Sequence, residues 1–287
     1  MTPPILTNAG ALIARYDVLF CDVWGVVHDG TVAFPSACDA LARFRSSGGT
    51  VVLVSNAPVP QGQVARMLAS RKVPRDAWDA IVSSGDIALA HCAEAGYGAL
   101  HCIGPRDRDS ALFAGLSARQ TGLDDADAIL CSGLVDDLNE TAESYRPLLE
   151  RAHARHLPFV CANPDLVVDV GGRLYWCAGA IGDLYQHMGG RVYWAGKPHA
   201  SAYGTAHTVA ERLRGKPVPK ARILAIGDAL RTDLEAAKRA DLDAVFIAGG
   251  IHRHETMADG AIDPARLATL FAGGTVTATA AMAQLAW

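Results

Sequence analysis

Short runs that are apolar on both faces alternate with amphipathic segments along most of this chain. YDVLFCDVW (16–24) reads as a buried strand, and PSACDALARFRSS (35–47) as a helix stopped by Gly48 and Gly49. TVVLVSN (50–56) is a second strand, PQGQVARMLASRK (60–72) a helix and DAIVSSG (79–85) a third strand. Further on, RVYWAG (191–196), ARILAIGD (221–228) and DAVFIAG (243–249) read as strands, with helices at about 199–214 and 231–240. Strands that are apolar on both faces and separated by helices call for a parallel sheet covered on both sides. The expected architecture is a doubly wound α/β fold. No Gly-x-Gly-x-x-Gly follows the first strand, so a dinucleotide site is not supported.

The middle of the chain has an α/β pattern of its own. ALHCIG (99–104), DAILCSG (127–133) and LPFVCANPD (157–165) read as strands, and TAESYRPLLERAHARH (141–156) as a helix. DLVVDVGGRLYWCAG (165–179) reads as a hairpin turning at Gly171-Gly172. Residues 97–191 are therefore expected to form a second α/β domain, inserted into a core domain made of 1–96 and 192–287. The Ala/Thr-rich tail TVTATAAMAQLAW favours neither helix nor strand.

Composition narrows the classes of function. The chain has 287 residues, 50% of them hydrophobic and 20% charged, ample for a real core. A net charge of -4 provides no basic field for a phosphate backbone, so nucleic acid is not an expected partner. The 7 cysteines, an odd number with no Cys-x-x-Cys pair, read as reduced thiols of a cytoplasmic protein. Cys21, Cys102, Cys131 and Cys161 sit in apolar runs and read as small core residues. No signal peptide and no membrane span is expected.

Ligands of open α/β sheets bind beyond the carboxyl ends of the strands, which makes the residues after each strand the candidates for chemistry. Asp22 follows the first strand, ahead of Val23-Trp24-Gly25; Ser55 and Asn56 end the second. Gly196-Lys197-Pro198 follows RVYW, and Gly227-Asp228 follows ARILAI, with Asp233 completing Gly-Asp-x-x-x-x-Asp. Taken singly, these are cap residues, turn formers or a solvated lysine. Together they suit phosphoryl transfer, which needs a nucleophile, a divalent cation and donors for the equatorial oxygens. A carboxylate such as Asp22 can be the nucleophile. Asp22 and Asp228 can hold Mg2+, and Ser55 and Lys197 can hold phosphate oxygens.

The set Asp22, Ser55, Lys197 and Asp228 with Asp233 resembles the four motifs of the haloacid dehalogenase superfamily, over nearly the whole chain. CANPD (161–165) and WCAGAIGDLYQHMGG (176–190) resemble the type II cap of its class IIA branch, which includes nucleotide, pyridoxal phosphate and other small-molecule phosphatases. The resemblance implies a Rossmann-like core with an inserted α/β cap that supplies the substrate contacts. It implies Asp22 as nucleophile and metal ligand, and Ser55 with the Asn56 backbone as phosphate ligands. Lys197 would bridge Asp22 and phosphate, Asp228 ligate Mg2+ and Asp233 orient the metal shell. The partner would be a small phosphorylated metabolite, and the oligomer a homodimer. Asn163 and Asp165, in a cap loop, read as turn formers rather than catalysts.

One position departs from the family pattern. Where Asp-x-Asp is usual, this chain has Asp22-Val23-Trp24. The second Asp normally protonates the leaving group, and an indole N–H does not titrate usefully. The position's other task, metal coordination through the backbone carbonyl, is open to Trp24. Loss of a general acid or base costs on the order of 10²–10⁴ in rate. Three outcomes stay open: His28 (the better substitute by pKa) or Asp29 supplies the proton, the leaving group needs none, or hydrolysis is attenuated; a plain loop is the favoured reading of His28 and Asp29 themselves. The lead expectation is a Mg2+-dependent phosphomonoesterase acting through an aspartyl-phosphate on Asp22. The alternative is a phosphometabolite-binding or regulatory protein with little turnover. A dehalogenase ranks third, since that chemistry needs no metal and Asp228 and Asp233 would be idle. His252 and His254 could share a metal only from an extended loop, and read as solvated or substrate-facing.

Overall fold

A computed structural model of the chain describes residues 1–170 and 172–287. The backbone falls into two compact units, Met1–Ser55 with Ala65–Val82 and Tyr203–Trp287, and Asn56–Val64 with Ser83–Ala202.

The first unit is built on a six-stranded sheet in the order Ala280–Met282, Asp243–Ile247, Ile223–Gly227, Val18–Cys21, Thr50–Ser55, Ala80–Ser83. Val18 pairs in parallel with Ile223 on one side and Thr50 on the other. Parallel pairing continues outward from Leu224 to Asp243 and from Val245 to Ala280. The central strands are buried along their length, which is why their sequences show no alternation of apolar and polar positions. From Val18–Cys21 the chain winds to Thr50–Ser55 on one side, and it fills the other side only later. The switch point therefore lies between Val18–Cys21 and Ile223–Gly227, where an open sheet leaves a crevice at its carboxyl edge. Pro35–Ser46 forms a helix that starts on Pro35 and buries Ala37, Ala40, Leu41 and Phe44; Gly48, at φ 92°, turns the chain out of it. The tail, without a clear period in sequence, supplies the edge strand Ala280–Met282.

The second unit has a five-stranded sheet in the order Val192–Trp194, Phe159–Cys161, Ala128–Cys131, Ala99–Ile103, Arg119–Gln120, with every pairing parallel. Ile129, Leu149, Phe159, Ile181 and Tyr185 pack in its core, and the Tyr185 hydroxyl donates to the Leu157 carbonyl at 2.7 Å. The helix Ala178–His187 buries its glycines and alanines. Val167–Val170 and Arg173–Trp176 pair antiparallel as a hairpin; Gly171 of its expected turn lies outside the described residues.

The doubly wound parallel α/β architecture expected from the apolar pattern is present, and a second α/β unit occupies the middle of the chain. All seven cysteines are buried thiols. Among the described residues, no helix is long and apolar enough to cross a membrane.

Candidate active site

Three carboxylates meet at the switch point of the first unit. Asp22 follows Val18–Cys21, and its backbone N–H donates to the Ile226 carbonyl at 2.8 Å, extending the parallel ladder to the mouth of the crevice. Asp228 follows the neighbouring strand Ile223–Gly227, and its Oδ2 accepts the Ile251 N–H at 2.7 Å. Asp233 comes back to the same place because the chain makes a wide helical turn at Leu230–Leu234, with the Leu234 N–H reaching back five residues to the Ala229 carbonyl. Its Oδ2 accepts the Ala229 N–H at 3.1 Å. Asp22, Asp228 and Asp233 each present a ligand atom within 4.8 Å of the others, and among the described residues they are the one such group of three or more His, Cys, Asp or Glu. Asp228 and Asp233 are buried and Asp22 is half-buried.

Three glycines make this convergence sterically feasible, and the sequence reading passed over them as ligand-shaping residues. A Cβ on Gly25 or on Gly250 would lie 2.0 Å from Asp228 Oδ2, and one on Gly227 would lie 2.2 Å from Asp233 Cβ. Gly25 also holds φ at 83°, which favours glycine. The sequence signal was present in each case, a glycine at a strand's carboxyl end or within four residues of it, but its meaning depends on which carboxylate passes beside it. An all-oxygen set of clustered carboxylates fits a hard divalent cation such as Mg2+, which takes one or two carboxylates plus water and substrate oxygens. Carboxylates this close repel one another when charged, and a bound cation would offset that repulsion.

The loop after Asp22 decides what Trp24 and His28 can do. The indole packs into its own loop: a Cβ on Gly30 would lie 2.4 Å from its Cζ2, the His28 ring meets it edge-on at 5.2 Å, and the Arg71 guanidinium sits 5.9 Å from it. Arg71 is anchored in turn, its Nε donating to the Gly30 carbonyl at 2.8 Å. His28 is only 2% exposed. Its Nδ1 accepts the Gly30 N–H at 2.9 Å, so the neutral ring carries its proton on Nε2. Burial, with the nearby Arg71 charge, pushes its pKa down to about 4. His28 is thus a buried ring held within its own loop, and its surroundings disfavour the charged form. Asp29 is exposed and caps a turn, accepting the Thr31 and Val32 N–H groups at 2.8 Å each, bonds that hold its carboxyl below the usual range.

Ser55 ends Thr50–Ser55 at the same carboxyl edge of the sheet as Asp22. Asn56 and Lys197 belong to the second unit and are both buried. The Lys197 backbone N–H donates to Asn56 Oδ1 at 2.8 Å, and Asn56 Nδ2 donates to the Lys197 carbonyl at 3.1 Å. Among the residues set aside on sequence, His252 is half-buried with Nδ1 2.6 Å from the Glu255 carboxylate, and His254 is exposed on the short helix Arg253–Thr256.

Comparison with known proteins agrees with this fold. The family model described as haloacid dehalogenase-like hydrolase matches residues 19–116, and one described as HAD-hydrolase-like matches residues 194–272. The crystal structure of a hydrolase of the haloacid dehalogenase-like family from Brucella suis 1330 is 40% identical, covers 98% of this chain and 100% of its own, and superposes with a TM-score of 0.86. A 4-nitrophenylphosphatase from Thermotoga maritima is 17% identical over 95% of this chain and 96% of its own, with a TM-score of 0.70. A glycerol phosphate phosphatase from Mycobacterium tuberculosis, solved in complex with calcium, is 20% identical over 84% of this chain and 68% of its own, with a TM-score of 0.63. The last two likenesses are of fold. A search of the curated proteins finds no significant match.

Proposed function

This chain belongs to the haloacid dehalogenase-like hydrolases, and from that premise we propose that it is a Mg2+-dependent phosphatase of small phosphate monoesters with Asp22 as its nucleophile. The observation that carries the reading is the convergence of Asp22, Asp228 and Asp233 within 4.8 Å at the carboxyl edge of the sheet. One Asp22 carboxylate oxygen attacks phosphorus, the ester P–O bond breaks, and the leaving oxygen departs with the bonding pair; water then cleaves the aspartyl-phosphate, returning the carboxylate and inorganic phosphate. Bound Mg2+ would offset the negative charge shared by Asp22 and the phosphoryl oxygens. Asp22, Asp228 and the Trp24 backbone carbonyl would hold that ion, and Asp233 would keep its shell oriented. Ser55, the Asn56 backbone and Lys197 take the equatorial phosphate oxygens, the roles the family motifs give them.

The test is a panel of phosphorylated metabolites assayed with and without Mg2+, on the native protein and on Asp22→Asn. Mg2+-stimulated phosphate release that the variant lacks is expected. No release across the panel, or release indifferent to Asp22→Asn, refutes the reading.

The packing of Trp24 and the low pKa of His28 favour one second reading, a phosphometabolite-binding protein with little turnover. Neither side chain is placed to deliver a proton near neutral pH, so hydrolysis slows most for esters of weakly acidic alcohols. Tight, Mg2+-dependent binding of a panel member without its consumption would select this reading.

A further inference from the structure

The Asn56 carboxamide has two N–H donors and an oxygen with two lone pairs, and protein groups use all four. Its Oδ1 accepts the Lys197 N–H at 2.8 Å and the Ser84 hydroxyl at 3.3 Å. Its Nδ2 donates to the Lys197 carbonyl at 3.1 Å and to Asp165 Oδ1 at 2.9 Å. One side chain thus grips both backbone groups of Lys197, as a neighbouring strand would, and has no capacity left for a ligand oxygen. Asn56 is 5% exposed and Lys197 2%, so each unmade bond would carry a desolvation cost. The fit also requires a glycine before the lysine: a Cβ on Gly196 would lie 2.1 Å from Ser84 Oγ and 2.5 Å from Asn56 Oδ1. Asp165 is itself held, its N–H donating to Asn163 Oδ1 at 3.1 Å and its carbonyl accepting the Gly179 N–H at 3.1 Å.

We propose that Asn56 is a positioning residue whose side chain fixes the backbone of Lys197, and so the base from which the ammonium is aimed, while Asp165 fixes the carboxamide. This goes beyond turn formation for Asp165. It rests on the proposed reading in one respect, that Lys197 holds a phosphate oxygen. A misplacement of about 1 Å can cost on the order of 10²-fold in rate.

The experiment is a double-mutant cycle with Mg2+ and 4-nitrophenyl phosphate, using Asn56→Ala, Lys197→Ala and the pair, with melting temperatures measured alongside. Asn56→Ala is expected to lower kcat/KM by about 10²-fold. The pair should be no slower than Lys197→Ala alone, while the melting temperature still falls with Asn56→Ala in both backgrounds. Multiplicative losses, or an Asn56→Ala enzyme with native kcat/KM, overturn the proposal. Should Asn56→Ala not fold, Asn56→Asp replaces it, keeping the size and losing the donor face. Asp165→Asn, which still offers an acceptor, should retain activity that Asp165→Ala loses; equal losses overturn the role of Asp165. If the native enzyme hydrolyses no ester, the functional reading falls separately, and the cycle is read by calorimetric binding of inorganic phosphate. Binding weakened by Lys197→Ala and by Asn56→Ala non-additively supports the clamp, and binding indifferent to either overturns it.

Discussion

Asp228→Asn should make the metal-free protein more stable and the Mg2+-loaded protein relatively less so. The three ligand atoms lie within 4.8 Å of one another. At that separation and an effective dielectric of about 20, each pair of charges repels by at least about 3.5 kcal/mol. Two of the three pairs include Asp228, so roughly 7 kcal/mol of gross repulsion disappears with its charge. Most of that is offset in the native protein by groups such as the Ile251 N–H at 2.7 Å, which an Asn Oδ1 can still satisfy. A net gain of about 1–2 kcal/mol remains, or a melting temperature roughly 2–3 °C higher in EDTA. With Mg2+ the order reverses: a cation at a hundred times its dissociation constant stabilises the native protein by about 2.7 kcal/mol, and the variant loses most of this. Differential scanning fluorimetry in EDTA and in a Mg2+ series reads both halves. A variant that melts below the native protein in EDTA, or one that Mg2+ raises as much as the native protein, refutes the reasoning.

Other outcomes follow from neighbouring features. Trp24→Asp should raise hydrolysis of alkyl phosphates by about 10²–10⁴-fold while lowering the melting temperature through lost packing; a steady-state comparison that finds less hydrolysis would place the indole in the working site. The depressed pKa of His28 means that the unfolded chain binds its proton first, so this residue costs nothing above about pH 6.5 and destabilises progressively as pH falls toward about 4. The slope is at most about 1.4 kcal/mol per pH unit, and melting curves between those values should flatten in His28→Asn; an unchanged slope contradicts the assignment. Gly250→Ala should cost about 1–3 kcal/mol and abolish the Mg2+ shift, because its Cβ would lie 2.0 Å from Asp228 Oδ2. Gly273→Ala, with nothing within 4 Å, is the neutral control, and equal melting temperatures for the two alanines would refute the steric account.

Much of this molecule was legible in one dimension. Both-face burial erases alternation, so VLFC, TVVLV and ILAIG declared a parallel sheet, and a parallel sheet puts its chemistry at the carboxyl ends of strands. That rule alone singled out Asp22 and Asp228. The strand Val192–Trp194 was legible as a strand but not as a member of the second sheet, because three apolar residues carry no mark of their neighbour. The helices Ser84–Glu94 and Ala178–His187 escaped notice because small residues and glycines blur a helical period.

What the sequence determined by itself was the set of candidate groups and the sheet edge from which they emerge, since both follow from local pattern and strand polarity. Whether those groups can act was left to tertiary structure. The wide turn at Leu230–Leu234 brings Asp233 back beside Asp228, and burial of His28 in its loop pushes its pKa down to about 4. Packing likewise folds Trp24 into its own loop and commits all four hydrogen-bonding positions of Asn56 to protein. Protonation and hydrogen-bond capacity depend on the whole surroundings of a side chain, and residues distant in sequence supply much of those surroundings.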